Sequence, residues 1–136
     1  INKNGKMLDM KIEVSIGEII DKYSILNIKA NKITDSTKLK NVNNEIAQLE
    51  VEVENIRNIN SHKFDKFLSS LIEINTALWE TEDSIRILEQ KQDFSKDFIK
   101  LARSVYIQND ERYRIKNSVN RFYNSGVIEE KDYVEY

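Results

Sequence analysis

The sequence contains no cysteine and no proline, and in 136 residues it has three glycines, one histidine and one tryptophan. Without cysteine there is no disulfide, no thiolate nucleophile and no Cys-based zinc pattern. A single histidine, His62, supports neither an E-x-x-H pair nor an H-E-x-x-H site, and no Ser/His or Cys/His nucleophile. His62 reads as a solvated residue at a helix start. The three glycines stand apart, which excludes G-x-G-x-x-G and P-loop phosphate cradles. No apolar run approaches the ~18 residues of a membrane span, and the opening INKNGKMLDM has no apolar signal stretch. A net charge of −2 lacks the basic excess of a nucleic-acid-binding protein. The expectation is a soluble, cytoplasmic protein with no membrane span and no nucleic-acid partner.

With no proline and so few glycines, little in the chain forces a helix to stop, and the 40% hydrophobic and 32% charged content suits long helices with solvated faces. The length is that of one domain. Residues 1–10 are expected to be a flexible extension, with Met10 a candidate natural start, and residues 11–136 a single helical domain.

KIEVSI alternates Ile12, Val14 and Ile16 and reads as a short extended lead-in. Ser15 and Glu18 form a capping-box pattern that opens a helix from about Ile16 to Ile33. Ile19, Tyr23, Leu26, Ala30 and Ile33 share one face of it, while Ile25 and Ile28 project from another at 100° per residue. A helix with two apolar faces needs two neighbours, and self-association into a symmetric homodimer is one way to supply the second. After the loop TDST at 34–37, Leu39, Val42, Ile46, Leu49, Val53 and Ile56 keep heptad spacing. NINSH at 58–62 breaks the pattern, and Ser61 is a candidate cap for a third helix with its seam at Phe64, Phe67, Leu71, Ile74, Leu78, Thr81, Ile85 and Leu88. Two such helices joined by a short loop predict a long antiparallel hairpin. Asp93 or Ser95 caps a fourth helix, which Asn109 or Asp110 either continues or restarts. Gly126 of NSG suits a left-handed C-terminal cap. In the tail VIEEKDYVEY, Val127, Ile128, Tyr133 or Val134 should dock on the body. The fold class is therefore all-α, an elongated four- to five-helix bundle built on the hairpin of helices two and three.

The stretch ALWETEDSIRILE carries the densest mixture of chemistry. Trp79, Glu82, Asp83 and Arg86 share one flank of helix three, and Glu82 and Arg86 stand at i, i+4. Their plain role is to widen the core edge and pair with each other; their functional role is an acidic wall or a metal site. Glu18-Ile-Ile-Asp21 and Glu80-Thr-Glu-Asp83 are two E-x-x-D steps, each with two carboxylates on one helix face. They resemble the cradle of the all-α, MazG-like nucleoside triphosphate pyrophosphatases, where facing acidic steps hold Mg²⁺ on a triphosphate. Here the steps lie 62 residues apart (80 − 18), whereas that family carries them on consecutive helices. Residues 96–121 hold seven bases against three acids, a net of +4. That excess suits a solvated face or a surface for an acidic partner, with Arg103 and Arg112 as fork-shaped donors and Tyr106 as an amphipathic contact.

VSIGEIIDKYSILNIKANKI, LWETEDSIR, LARSVYIQNDERYRIKNSVN and EEKDYVEY, in that order, resemble a family of small, uncharacterised helical proteins of bacteria and marine phages. Its bacterial members are associated with glycosyltransferases for surface polysaccharide. The resemblance implies an accessory setting and transfers no site residue. It does direct attention to helices three and four, where Glu82 and Asp83 could pair with Arg103 or Arg112. Trp79, Glu82, Asp83, Arg86, Arg103, Tyr106, Asp110 and Arg112 are therefore the candidate polar network or interaction surface, with no catalytic residue assigned. The leading expectation is a non-enzymatic scaffold without a cofactor. The alternative is a Mg²⁺-dependent enzyme or binder of a nucleoside triphosphate or nucleotide-sugar, using Glu18, Asp21, Glu80 and Asp83.

Overall fold

The computed structural model describes residue 5 and residues 7–136, and among these all regular secondary structure is helical. The helices are α1 (Ile16–Lys32), α2 (Ser36–Ile59), α3 (Ser61–Gln90) and α4 (Lys96–Phe122). No helix is long and apolar enough to cross a membrane. Residues 7–14 carry no helix or strand and are exposed; for residues 1–4 and 6 the expected extension lies outside the described residues.

Side-chain caps set the helix starts. Ser15 Oγ accepts from the Glu18 amide at 3.1 Å, but the Glu18 carboxylate turns to Lys116 at 2.8 Å. Asp35 caps α2 by accepting from the Lys38 amide at 2.8 Å. Asn60, extended at φ −160, both ends α2 and caps α3, accepting from the Lys63 amide at 3.0 Å. Ser61, expected as that cap, is thus the first residue inside the helix, because the asparagine before it already satisfies the free amide. The C-termini of α3 and α4 close with left-handed residues, Gln92 (φ 55) and Asn124 (φ 52). In each the next amide reaches back five residues, Asp93 to the Leu88 carbonyl and Ser125 to the Asn120 carbonyl, both at 2.9 Å. These are Schellman closures. The left-handed position expected at Gly126 falls to Asn124, whose side chain tolerates it. Asn109 and Asp110 start no new helix; α4 runs unbroken for 27 residues, so the bundle has four helices among the described residues.

The seam of α2 is buried or half-buried at all six expected positions, Leu39 through Ile56. What covers most of it is α1 rather than α3. α1 packs on α2, α3 and α4, whereas α2 and α3 touch each other least of the packed pairs, and α3 packs most extensively on α4. The packing is therefore not concentrated in a hairpin of helices two and three. Near their joint Arg57 lies over the Phe64 ring at 4.4 Å and pairs with Asp65 at 3.2 Å. The core gathers Ile20, Val53, Ile56, Phe64, Leu71 and Val119. Ile28 is buried, and Ile25 half-buried, within the one chain, so α3 and α4 meet the second apolar face of α1.

Close approach of α1 to α4 depends on Gly17. A Cβ there would lie 2.6 Å from the Lys116 carbonyl oxygen and 2.8 Å from Asn120 Oδ1. Instead the Gly17 amide donates to that Oδ1 at 2.7 Å. Val127, Ile128, Tyr133 and Val134, the residues expected to dock the tail, are all exposed. The tail is held by polar and aromatic contacts: the Glu129 carbonyl accepts from Tyr113 Oη at 3.2 Å, and Tyr136 Oη donates to Asp110 at 2.5 Å.

Candidate functional site

Asp21 of α1 is fully buried. A buried carboxylate is costly unless it is paired and hydrogen-bonded, and here both conditions are met. Arg112 of α4 grips it with two prongs, Nε to Oδ1 at 2.9 Å and Nη2 to Oδ2 at 2.5 Å. Asn75 of α3 donates Nδ2 to Asp21 Oδ1 and to Ser24 Oγ, both at 2.9 Å. Ser24 Oγ in turn donates to the Asp21 carbonyl at 2.6 Å. One carboxylate thereby joins three helices. Its hydrogen bond to Arg112 raises the guanidinium pKa above its ordinary value, against the opposing effect of burial; Arg112 stays charged.

The chemistry also fixes the Asn75 amide. The Asp21 carboxylate only accepts, and the Ser24 hydroxyl spends its proton on a carbonyl, so both neighbours require the NH₂ end. Asn75 Oδ1 accepts no hydrogen bond among the described residues, and the side chain lines a groove.

Farther along α4 at four-residue spacing, Lys116 and Asn120 continue the polar edge. Lys116 is buried between Glu18 at 2.8 Å and Glu129 at 2.7 Å. Burial lowers the ammonium pKa, but the bonds to Glu129 and Glu18 outweigh it and the net direction is up. Opposite Arg112, Lys116 and Asn120 stand Asp21, Glu18 and Gly17, so the α1–α4 contact is a polar zipper beside an apolar core.

Beside this network lies a groove of about 450 Å³. α1 contributes Ile25 and Ile28, α4 contributes Asn109 and Arg112, and α3 supplies Asn75 and Leu78. The remaining wall is Trp79, Glu82, Asp83 and Arg86, also from α3. Arg86 is hydrogen-bonded to the Glu82 carboxylate, and this bond raises its pKa. Asp83 is exposed and makes no ion pair among the described residues.

Five of the candidate residues, Trp79, Glu82, Asp83, Arg86 and Arg112, thus line one groove. The other three stand elsewhere. Arg103 is exposed, and Tyr106 and Asp110 meet Tyr136, with the two tyrosine rings 5.2 Å apart. The pairing considered for Arg112 is corrected: its carboxylate is Asp21 of α1, not Glu82 or Asp83, because α1 packs on both α3 and α4 and Asp21 reaches Asn75 and Arg112 together. The four carboxylates of the metal alternative do not gather. Glu18 is on Lys116, Asp21 on Arg112, and Glu80 is exposed. Among the described residues no group of three or more His, Asp or Glu is placed to hold a metal. The sequence reading does not name Asn75, Lys116, Asn120 or Gly17 as site residues, and it gives Asn109 only as a possible helix restart. The signal available was the Arg112, Lys116, Asn120 spacing, a polar stripe where a buried face was required.

These features define a class: an all-helical bundle whose helices α1, α3 and α4 are joined by a buried carboxylate and flanked by an open groove of mixed polarity. Residues 10–135 match a family of unknown function, DUF6165, and the chain belongs to it. No curated protein and no solved structure matches the chain.

Proposed function

We propose that the protein is a non-enzymatic interaction protein that uses the α1–α3–α4 groove to hold a partner, as an accessory to surface-polysaccharide synthesis. The observation that carries the reading is the division of labour at the groove. Four of its five charged groups are tied to structural partners, Asp21 to Arg112 and Glu82 to Arg86. Asp83 alone is left without an ion pair among the described residues, so the site offers mainly shape and polarity rather than a paired acid and base. Trp79 with Ile25, Ile28 and Leu78 supplies the apolar area that binding needs. The resemblance to helical proteins associated with glycosyltransferases supplies the setting.

The Mg²⁺-dependent alternative needs Glu18, Asp21, Glu80 and Asp83 free and facing one another, and two of them are committed to Lys116 and Arg112. The test has two arms. A photoreactive residue at position 79 should cross-link in cells to a defined protein, whereas one at position 51, on the exposed face of α2, should not. In parallel, the purified protein should show no Mg²⁺-dependent turnover of nucleoside triphosphates or nucleotide-sugars. Turnover that disappears in Asp83→Ala would overturn the proposal.

A further inference from the structure

We infer that the groove is a receptor for one cationic side chain, a lysine-type ammonium or an arginine-type guanidinium, presented by the protein partner. This deepens the interaction reading above and rests on it. The first support is charge. Around the groove are three carboxylates, Asp21, Glu82 and Asp83, and two guanidiniums, Arg86 and Arg112. Arg112 is spent on Asp21 and Arg86 on Glu82. Asp83 is the one of these carboxylates without an ion pair among the described residues, which matches a single incoming cation.

The second support is independent of it. Asn75 is 6% exposed, and its Nδ2 is consumed by Asp21 and Ser24. Its Oδ1 accepts no hydrogen bond among the described residues and is open to solvent. An acceptor in that state can take an N–H group from a ligand in exchange for water. The third is Trp79, one turn before Asp83 on the same helix face, where an aromatic surface and a carboxylate together suit a cation. Ile25, Ile28 and Leu78 offer apolar wall for the methylene stem of such a side chain. An anion would meet Asp83 and Glu82 with no free cation to offset them. A wholly apolar group would leave the Asn75 oxygen desolvated and unpaired. The groove is open to solvent along the bundle surface, so a side chain from a docked protein enters without threading. Arg86, exposed and already on Glu82, acts as a built-in competitor for the incoming cation.

The sole tryptophan makes the site its own reporter. Emission of Trp79 in the full chain is followed against Nα-acetyl-lysine amide and Nα-acetyl-arginine amide, with Nα-acetyl-norleucine amide as the uncharged stem. Saturable changes are expected with the two cationic amides and not with the norleucine compound. Asp83→Asn, at an exposed position without an ion pair, should weaken binding about tenfold, as the loss of a charge-assisted contact does. Arg86→Gln, which releases Glu82, should tighten it; a merely structural Arg86 would not. No saturable change at tens of millimolar, an equal response to norleucine, or an unchanged affinity in Asp83→Asn would overturn the cation site. If position 79 cross-links a protein while the amides fail, the interaction reading survives and only its cationic chemistry falls. If the amides bind and no cross-link forms, the protein partner is the part that is wrong.

Discussion

Replacing Arg112 with methionine isolates the buried pair. The substitution keeps most of the side-chain volume and removes both prongs from Asp21, leaving its Oδ2 without a partner and its Oδ1 with Asn75 alone. Breaking a buried pair from one side costs about 3–5 kcal/mol, because the remaining charge stays in a medium that solvates it poorly. For 136 residues an unfolding entropy of about 2.1 cal/mol/K per residue amounts to about 0.29 kcal/mol/K. A loss of about 4 kcal/mol therefore lowers Tm by about 14 °C. Asp21→Asn is the gentler change. It retains an acceptor for Asn75, and the Arg112 side chain, 27% exposed, still reaches water. Asp21→Asn combined with Arg112→Met should then be more stable than Arg112→Met alone, since no buried charge is left unpaired. Thermal melts by circular dichroism, with urea titrations to obtain the free energies, provide the cycle. A Tm drop of only a few degrees in Arg112→Met, or strictly additive effects in the double variant, would refute the account of Asp21 as a charge held by Arg112.

Gly17→Ala gains helix propensity but places a Cβ against the Lys116 carbonyl and Asn120. The clash should win, with a net loss of about 1–3 kcal/mol in urea unfolding. Tyr123 has its hydroxyl buried without a hydrogen-bond partner among the described residues, so Tyr123→Phe should leave Tm unchanged or raise it, the gain being about 1 kcal/mol at most. The pKa of Lys116 is raised in the folded state. Its contribution is accordingly complete below the unfolded lysine value and is lost as pH rises through the higher folded value. Melts in the alkaline range should fall more steeply for the native protein than for Lys116→Met, and parallel curves would contradict the assignment.

Much of the fold was legible because its signals are local. The α2 seam was readable because six aliphatic residues repeat without a proline to interrupt them, and Ser15 announced α1 by its spacing to Glu18. Partnering was not readable. Hydrophobic periodicity favoured Ile19, Tyr23, Leu26, Ala30 and Ile33 as the face of α1, whereas Gly17, Ile20, Asp21, Ser24, Leu26 and Ile28 are its buried residues. Half of that set is polar or glycine, and a polar residue reads as solvated unless its partner is known. The partners of Asp21 lie 54 and 91 positions away, at Asn75 and Arg112. For the same reason the sequence could offer Arg112 the acids of α3, and could offer α2 the face of α3, without showing that α1 packs more extensively on α2 than α3 does.

The groove was partly legible for a related reason. Trp79, Glu82, Asp83 and Arg86 stood out as chemistry in excess of what a core edge needs, but the opposite walls come from α1 and α4, and no local pattern names them. Their position follows from helix length. α1 has 17 residues, against 30 in α3 and 27 in α4. Asp21 sets α1 against α3 and α4 through Asn75 and Arg112, and α1 then ends at Lys32 while its two neighbours continue. The buried network therefore has two consequences from one geometry. It sets the register of the three helices, since a displaced Asp21 would lose partners on two of them, and by holding Asn75 Nδ2 it leaves the Asn75 oxygen without a donor among the described residues, beside the groove. If the groove takes a cation as proposed, packing specificity and recognition are coupled at that amide, and an aliphatic replacement for Asp21 that preserved the fold would release the Asn75 side chain and weaken cation binding.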